Sequence, residues 1–179
     1  YLGEMMGQFI QQDKYITITT NHTPRIIERV QSGKATLGLC AGLLPPHHGL
    51  MTFHLFDEPF YIVSKSPLTE LPPMVITNDM TNPANSYQLS VLEKFGIKPL
   101  MEMDAYTAAA QLALGGTGPA LIPLSIVKTL NIEPQYLFSF AELKGLIRPI
   151  HICVRPNSYQ SPRVKILIES IVDAVPKAV

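Results

Sequence analysis

Hydrophobic and polar positions along this chain follow first a helical and then an alternating period. The first ten residues, YLGEMMGQFI, repeat apolar side chains at i, i+3, i+4, i+7 and i+8, the pattern of a helix with one buried face. Its members are Leu2, Met5, Met6, Phe9 and Ile10. The next apolar segment, YITITT, alternates over residues 15–20, which predicts a strand.

A second helix and a second strand follow with clear end signals. NHTPRIIERVQSGK predicts a helix with Thr23 as its N-cap, Pro24 at the first helical position and Gly33 as its stop. ATLGLCAG predicts a short strand ending at Ala41 or the glycine after it. Strand, helix and strand with short turns predict a parallel sheet, whose ligands collect beyond the carboxyl ends of the strands. Residues 21–23 and the loop after Ala41 are therefore candidate binding loops.

The middle of the chain repeats the same order of elements after a boundary. MTFHLFDEPFYIVSKSPL predicts two extended segments that meet near residues 57–59, and the proline-rich LTELPPM is a candidate boundary. MVIT then predicts a strand, SYQLSVLEKFG a helix with Leu89, Leu92 and Phe95 inside and Gly96 as its cap, PLMEM a strand, and AYTAAAQLALGG a helix.

The stretch LALGGTGPALIP predicts a tight turn from helix to strand. The helix should stop at Gly115 and Gly116, and the reversal into residues 120–122 is so short that it needs backbone angles open only to glycine. GLIRPIHICVRP then predicts an extended run, and SPRVKILIESIVDAV a helix with Ser161 as N-cap. The buried stripe of that helix is predicted to be Val164, Leu167, Ile168, Ile171 and Val172.

Composition narrows the possible functions. The chain has 179 residues, 46% apolar and 16% charged, which is typical of a globular protein with a sizeable core. Its 14 lysines and arginines balance 14 aspartates and glutamates, which argues against direct nucleic-acid binding by these residues. Two cysteines, no signal peptide and no long apolar run favour a cytoplasmic domain.

Catalytic, metal and cofactor signatures find little support in the sequence. Cys40 and Cys153 lie within apolar strand patterns, where a thiol is usually an inert small hydrophobe. The adjacent His47 and His48 point in different directions and have no third ligand at suitable spacing. The sequence contains no phosphate-binding P-loop, H-E-x-x-H or G-x-S-x-G motif. We therefore expect neither an enzyme nor a cofactor.

Several of these segments, taken in order, resemble a known family. They are YLGEMMGQFIQQDKYITITT, IIERVQSGKATLGLCAG, GLMTFHLFDEPFYIVSKSPL, LALGGTGPALIP and RPIHICVRPNSYQSP. Together they resemble the effector-binding domain of LysR-type transcriptional regulators. The glycine stretch is similar to the family's A-A-G-x-G-x-x-x-x-P signature. Residues 30–39 are similar to its L-x-x-G-x-x-D-x-x-I element, with Thr36 in place of the usual Asp.

This resemblance implies an α/β fold of the periplasmic-binding-protein-like type II, with two Rossmann-like lobes, two crossover strands and a small-molecule cleft. We expect residues 1–65 to form the first part of lobe I, residues 66–147 lobe II, and residues 148–179 the return to lobe I. The family's winged helix-turn-helix is expected upstream, and the first strand of the effector domain is not among these residues. The resemblance also implies homodimers or homotetramers, in which the first helix and its neighbouring strand pair antiparallel with lobe II of a partner.

The resemblance places the ligand contacts in four short segments: Asn21, His22 and Thr23; Ala41; Asn85 and Ser86; and Asp104, Tyr106 and Thr107. Ala41 stands where some relatives carry an arginine for an acidic effector, which argues against an effector with two carboxylates. Most of these residues also have a structural alternative, because Thr23, Asp104 and Asn85 or Ser86 could be helix caps, whereas His22 and Tyr106 could be surface residues.

The leading hypothesis is a ligand-sensing and oligomerisation domain of a bacterial LysR-type DNA-binding regulator. Its effector would be a small anionic metabolite, because the first turn of a helix favours anions. DNA would be bound only through the upstream domain, and no membrane partner is expected. The alternative is a free-standing solute-binding protein of the same fold, and an enzyme on this fold is the least favoured.

Overall fold

The structure, a computed structural model, describes residues 2–175, apart from the side chains of Leu2 and Met5. These residues divide into two units. The first unit comprises residues 2–40, Pro46–Phe56 and residues 151–175, and the second comprises Ala41–Pro45 and Asp57–Ile150. The first predicted lobe boundary, at residue 65, lies later along the chain than the division at Phe56. The second, at residue 147, lies earlier than the division at Ile150. The predicted return segment extends to residues 176–179, which are outside the described residues.

The helices and strands follow the predicted alternation closely. The helices are α1 Leu2–Gln12, α2 Thr23–Gln31, α3 Tyr87–Lys94, α4 Tyr106–Leu114, α5 Leu124–Thr129, α6 Pro156–Tyr159 and α7 Pro162–Ala174. The strands are β1 Leu37–Ala41, β2 Met51–Val63, β3 Met74–Asn78, β4 Lys98–Met103, β5 Ala120–Pro123, β6 Leu137–Phe138 and β7 Ile147–Val154. Three short 3₁₀ turns, Pro83–Asn85, Pro134–Tyr136 and Ala141–Leu143, had no sequence signal.

The first unit is built on β1, the second half of β7 and the beginning of β2, whereas residues 147–150 of β7 belong to the second unit. Strand β7 is hydrogen-bonded to β1 and to β2. Its core consists of buried side chains from α1, β7 and α7: Phe9, Ile152, Val154, Ile168 and Ile171. Two predicted stripe positions are wrong, because Ile10 and Val172 are each 43% exposed. Both lie at the margin of their helix's apolar stripe, where the periodic pattern discriminates least.

The strand predicted over residues 15–20 is wrong. Residues 17–20 are exposed and form no ladder with any of the described residues, although the alternating sequence favours an extended chain. A strand needs a hydrogen-bonded neighbour as well as a suitable pattern. Residues 15–20 instead line one side of a groove of about 830 Å³, whose other walls come from α1, α2, β1, β7 and α7.

The second unit contains β2, β5, β3 and β4 in that order, with β6 paired to the end of β2. Strands β3, β4 and β5 are parallel, whereas β2 is antiparallel to β5, with Phe60 opposite Pro123. The two extended segments predicted near residues 57–59 are a single strand of 13 residues, β2. Ile62, Ile76 and Leu121 of this sheet are fully buried.

Helix α4 packs on β3 and β5 through three small side chains, Ala109, Ala110 and Ala113, which are 0% to 1% exposed. The neighbouring helix α3 buries Leu92, as predicted, but leaves Leu89 37% exposed. The prediction of a buried Leu89 is therefore wrong. The alanine face explains how a short helix can lie close to a sheet, because side chains of one carbon fill little of the space between them.

The glycine stretch forms the predicted turn from helix to strand. Gly115 is the C-cap of α4, and Gly116 has a φ of 93°. The amide of Gly116 donates to the carbonyl of Ala113, and the amide of Thr117 donates to the carbonyl of Leu112. These two bonds define a Schellman motif, which satisfies the last carbonyls of the helix and needs a left-handed residue. The stretch is therefore explained by backbone geometry.

A second glycine brings two backbone segments together. Gly42 has a φ of 88°, its amide donates to the carbonyl of Pro149, and a Cβ atom at this position would lie 2.2 Å from the carbonyl oxygen of Ala84. Leu43 donates its amide to that same oxygen at 2.9 Å. The approach of these segments is therefore possible only without a side chain at residue 42.

We predict that Gly42→Ala lowers the free energy of unfolding by about 3 kcal/mol or more, because it adds a backbone clash to the cost of a left-handed alanine. Gly49→Ala is the matched control. Its φ is 71°, but nothing lies within 4 Å of the added Cβ, so only the conformational cost of about 1–2 kcal/mol applies. Urea unfolding of both variants measures the difference, and equal losses would contradict the close approach.

Candidate functional site

Binding residues of the second unit are expected where its parallel strands end. Strands β3, β4 and β5 end at Asn78, Met103 and Pro123. Because the carboxyl ends of parallel strands lie at one edge of a sheet, the residues that follow them share that edge. The residues after β3 lead to Asn85 and Ser86, those after β4 are 104–107, and α5 begins directly after β5.

A buried carboxylate lies at this edge. Glu58 of β2 is 0% exposed, and its Oε1 accepts a hydrogen bond from Arg148 Nε at 2.6 Å. Ser125, in the first turn of α5, donates its amide to Oε2 at 2.9 Å and its hydroxyl to Oε1 at 3.1 Å. Three donors thus compensate a charge that would otherwise be costly to bury.

Tyr106 packs beside this ion pair. Its ring is 6% exposed, the Arg148 guanidinium lies over the ring at 5.2 Å, and Phe60 meets it edge-on at 6.2 Å. Its hydroxyl accepts a hydrogen bond from Gln88 Nε2 at 2.8 Å. Burial raises the pKa of the Tyr106 phenol above its usual value, so the group is neutral at physiological pH. We call Glu58, Ser125, Arg148, Gln88 and Tyr106 the polar cluster.

Two buried acceptors beside the polar cluster have no hydrogen-bond partner among the described residues. They are Asn78 Oδ1 and Gln88 Oε1, on side chains that are 7% and 0% exposed. Buried amide oxygens are nearly always paired with protein or with water. The Glu58 carboxylate already has its donors, whereas these two amide oxygens can still accept a hydrogen bond from a water molecule or a ligand.

The predicted contacts of the second unit fall into two kinds. Asn85 is buried and donates its side-chain amide to the Asp79 carbonyl at 2.9 Å, whereas Ser86 is exposed and donates its hydroxyl to the Pro83 carbonyl. Ser86 occupies the N-cap position of α3 without a capping side-chain bond. Asn82 caps the preceding 3₁₀ turn, Pro83–Asn85, by accepting from the amide of Ala84 at 3.0 Å. The predicted cap position at Ser86 is therefore confirmed, although its side chain makes no capping bond.

The segment after β4 also differs from its prediction. Ala105, and not Asp104, is the N-cap of α4, and Asp104 is exposed. Tyr106 is not the surface tyrosine of the alternative interpretation, and Thr107 next to it is half-buried. Ala41, at the end of β1, is half-buried and adjoins the Gly42 contact with Ala84. The structure thus brings the residues around Ala41 and Asn85 together.

The predicted contacts of the first unit lie at the start of α2. His22 is the N-cap, without a side-chain capping bond, and Thr23 is the first helical residue and is 6% exposed. The prediction of Thr23 as N-cap and Pro24 as the first helical position is therefore wrong by one residue. Asn21 and His22 are exposed. The first-turn amides of α2 receive no cap from the His22 side chain, an arrangement that suits an anionic ligand.

The sequence missed most of the polar cluster. Glu58 and Arg148 are 90 positions apart and belong to no motif, so their contact required the tertiary structure. It also missed that Cys40 and Cys153 are neighbours, with Sγ atoms 3.6 Å apart. His48 has a structural role, because its Nδ1 accepts the amide of Leu50 at 2.9 Å.

Within residues 2–175 no group of three His, Cys, Asp or Glu side chains could hold a metal ion. The helices of this same range are all too short or too polar to cross a bilayer.

Solved structures similar to this chain share one fold. The C206S mutant of the OxyR2 regulatory domain from Vibrio vulnificus matches with a TM-score of 0.73 and 16% identity, covering 96% of this chain and 88% of that one. The BenM effector binding domain with its effector benzoate gives a TM-score of 0.68, 18% identity and coverage of 96% and 84%. CbnR, a LysR family transcriptional regulator, gives 0.69, 15% identity and coverage of 98% and 65%.

These likenesses confirm the expected α/β fold of the periplasmic-binding-protein-like type II. Residues 1–176 match the family of the LysR substrate binding domain, and the chain belongs to this family. An uncharacterized HTH-type transcriptional regulator of Vibrio cholerae serotype O1 is 65% identical over all 179 residues, and the chain spans 63% of its length. The family is one of transcriptional regulators, which confirms the expectation of a regulatory domain and not an enzyme.

We predict that Arg148→Met lowers the free energy of unfolding by about 3–5 kcal/mol, because it leaves the buried Glu58 charge without its cation. Glu58→Gln combined with Arg148→Met should cost less than Arg148→Met alone, since the amide carries no charge to bury. A double-mutant cycle by urea unfolding measures both effects. Additive losses would contradict the pairing.

The raised pKa of Tyr106 predicts a loss of stability at high pH. The folded state keeps this phenol protonated, while the unfolded chain ionises near pH 10, so its contribution is complete below pH 10 and falls above it. The stability advantage of the wild type over Tyr106→Phe should shrink between pH 8 and pH 11. Tyr15→Phe, at a ring that is 75% exposed, is the control and should show no such change.

Proposed function

We propose that this chain is the effector-sensing domain of a LysR-type transcriptional regulator, and that its effector is a small anionic metabolite. The observation that carries the proposal is the family match over residues 1–176, together with 65% identity to an HTH-type regulator of which this chain spans 63%. In this proposal DNA is bound by a helix-turn-helix domain outside these residues, which agrees with their zero net charge. The protein acts in the cytoplasm, where the chromosome is.

The proposal assigns effector contacts to each unit separately. In the first unit they are Asn21, His22 and Thr23, where the first turn of α2 presents backbone amides to an anion. In the second unit they are Ala41, Asn85, Ser86, Asp104, Tyr106 and Thr107. The location of these residues supports this assignment, because Asn85 and Ser86 follow β3 and residues 104–107 follow β4, at the carboxyl ends of parallel strands where ligands bind.

Effector binding would regulate by differential affinity. A ligand shifts the arrangement of subunits only to the extent that it binds one arrangement more tightly than another.

We propose a homodimer or homotetramer in which α1 and its neighbouring segment pair with a partner subunit. Among the predicted apolar positions of α1, Ile10 is 43% exposed and Phe9 is buried, whereas the side chains of Leu2 and Met5 are outside the described residues.

The test is a thermal-shift screen of the intact protein against small carboxylates and aromatic acids. A ligand at 100 times its dissociation constant should stabilise the protein by about 2.7 kcal/mol, which is visible as a raised melting temperature. We expect the shift to be lost in Thr23→Val and in Ser86→Ala. Ser139→Ala, an exposed serine outside all predicted contact segments, should keep it.

Each outcome of this screen decides a different part of the proposal. A shift that survives both substitutions would contradict the assigned contacts. Stabilisation by neutral metabolites alone would contradict the anionic effector. The absence of any stabilising compound would contradict the sensing function as stated.

A further inference from the structure

We propose that Cys40 and Cys153 are a redox-sensitive pair, which a peroxide oxidises to an intramolecular disulfide beneath helix α2. The inference concerns the first unit alone and does not depend on the proposed effector. It rests on the position of the two thiols, on the strands that carry them and on the helix that covers them.

The two thiols are already in contact. Their Sγ atoms lie 3.6 Å apart and share a hydrogen bond, although 113 positions of sequence separate them. They are the two cysteines of these 179 residues, so within this sequence each has the other as its one possible partner. A disulfide needs an S–S distance of about 2.05 Å, so the sulfur atoms must approach by roughly 1.5 Å.

The strands place the two residues within disulfide range. Cys40 lies in β1 and Cys153 in β7, which are hydrogen-bonded neighbours. Neighbouring strands are about 4.7–4.9 Å apart, and disulfide-bonded residues have Cα atoms about 4.4–6.8 Å apart. The remaining approach therefore needs only side-chain rotation and a small local adjustment.

The two thiols are equally placed to react. Both are buried and each touches the other, so neither position is distinguished as the nucleophile. The thiolate is the reactive form, so the thiol that loses its proton first attacks the oxidant and the other resolves the product.

The oxidation balances with hydrogen peroxide as the oxidant. The thiolate of one cysteine attacks one peroxide oxygen, the O–O bond breaks, and a sulfenic acid and hydroxide form. The sulfur of the other cysteine, as it loses its proton, then attacks the sulfenic sulfur and displaces hydroxide, which becomes water. The two thiols lose two electrons and two protons, and the peroxide is reduced to two molecules of water.

Burial of the pair restricts which oxidant can reach it. Cys40 and Cys153 are 1% and 0% exposed. Helix α2 covers the face of β1 on which the Cys40 side chain lies. A Cβ atom built on Gly38 would lie 2.5 Å from Ile26 Cγ2 and 3.2 Å from Val30 Cγ2, both on α2, and 3.7 Å from Cys40 Sγ. Hydrogen peroxide is close to water in size, so it should reach the pair through small openings of this helix, whereas a peptide disulfide such as oxidised glutathione should react far more slowly.

The test begins with the intact, reduced wild-type protein treated with hydrogen peroxide and then alkylated in denaturant. We expect a product lighter by two hydrogen atoms, resistant to alkylation and reversed by dithiothreitol, with one cross-linked peptide pair containing residues 40 and 153. Cys40→Ala and Cys153→Ala should each abolish it. Two thiols that stay fully alkylatable, or are oxidised beyond sulfenic acid without cross-linking, would overturn the proposal.

A second measurement needs no variant and tests whether the folded structure favours the disulfide over the two free thiols. The ratio of disulfide to dithiol is measured in glutathione redox buffers for the folded protein and for the protein in denaturant, starting from both the oxidised and the reduced protein until the two ratios agree. Contact in the folded state should raise this ratio at least about tenfold over the unfolded chain, because the partners are already positioned. An equal or lower ratio in the folded protein would overturn the proposal.

Hydrogen exchange tests whether the pair reports to α2. Oxidation should slow amide exchange in residues 23–31, because the helix lies directly over the sulfur atoms that are joined, and should leave exchange in α4 unchanged. Cys153→Ala treated with peroxide is the control and should show no slowing. Unchanged exchange in α2 of the oxidised wild type would overturn the position of the cross-link beneath that helix.

Discussion

The buried carboxylate of Glu58 is the constraint on which the polar architecture of the second unit depends. A charge that is 0% exposed must be compensated locally, and the compensation comes from two other parts of the chain: Arg148 on β7 and Ser125 at the start of α5. The same guanidinium covers the ring of Tyr106, which connects α4 to the ion pair. A single unfavourable burial thus fixes the relative positions of β2, β7, α4 and α5.

Much of the fold could be predicted because its signals are local. The period of apolar residues, Pro162 at the start of α7 and Gly116 after α4 each act within a few residues, and the structure confirms the elements that they predict. The failed strand at residues 15–20 shows the limit of such signals. Its alternating pattern favours an extended backbone, but a strand also needs a neighbouring strand to hydrogen-bond with, and the local pattern does not specify one.

The candidate site was harder to predict because its interactions join residues distant in sequence. Asn85 and Tyr106 were found through the family resemblance, yet Gln88, whose side chain joins α3 to Tyr106, and the Glu58–Arg148 pair were not. Two caps were misplaced by one residue for a related reason. Thr23 and Asp104 have side chains that can cap, but the N-cap position is set by how each loop enters its helix. The two cysteines illustrate the same point. The apolar residues around each one predict a strand, but they do not predict that the two strands are neighbours.

The alanine face of α4 has an entropic consequence. Ala109, Ala110 and Ala113 have no side-chain rotamers to lose, so burying this helix against β3 and β5 orders the backbone at almost no further cost. The long side chains of Gln88 and Arg148, whose ordering is expensive, are held in the polar cluster instead. The packing of α4 on the sheet thus adds almost no loss of side-chain freedom, whereas the polar cluster at the edge of the sheet orders two of the long side chains of the unit.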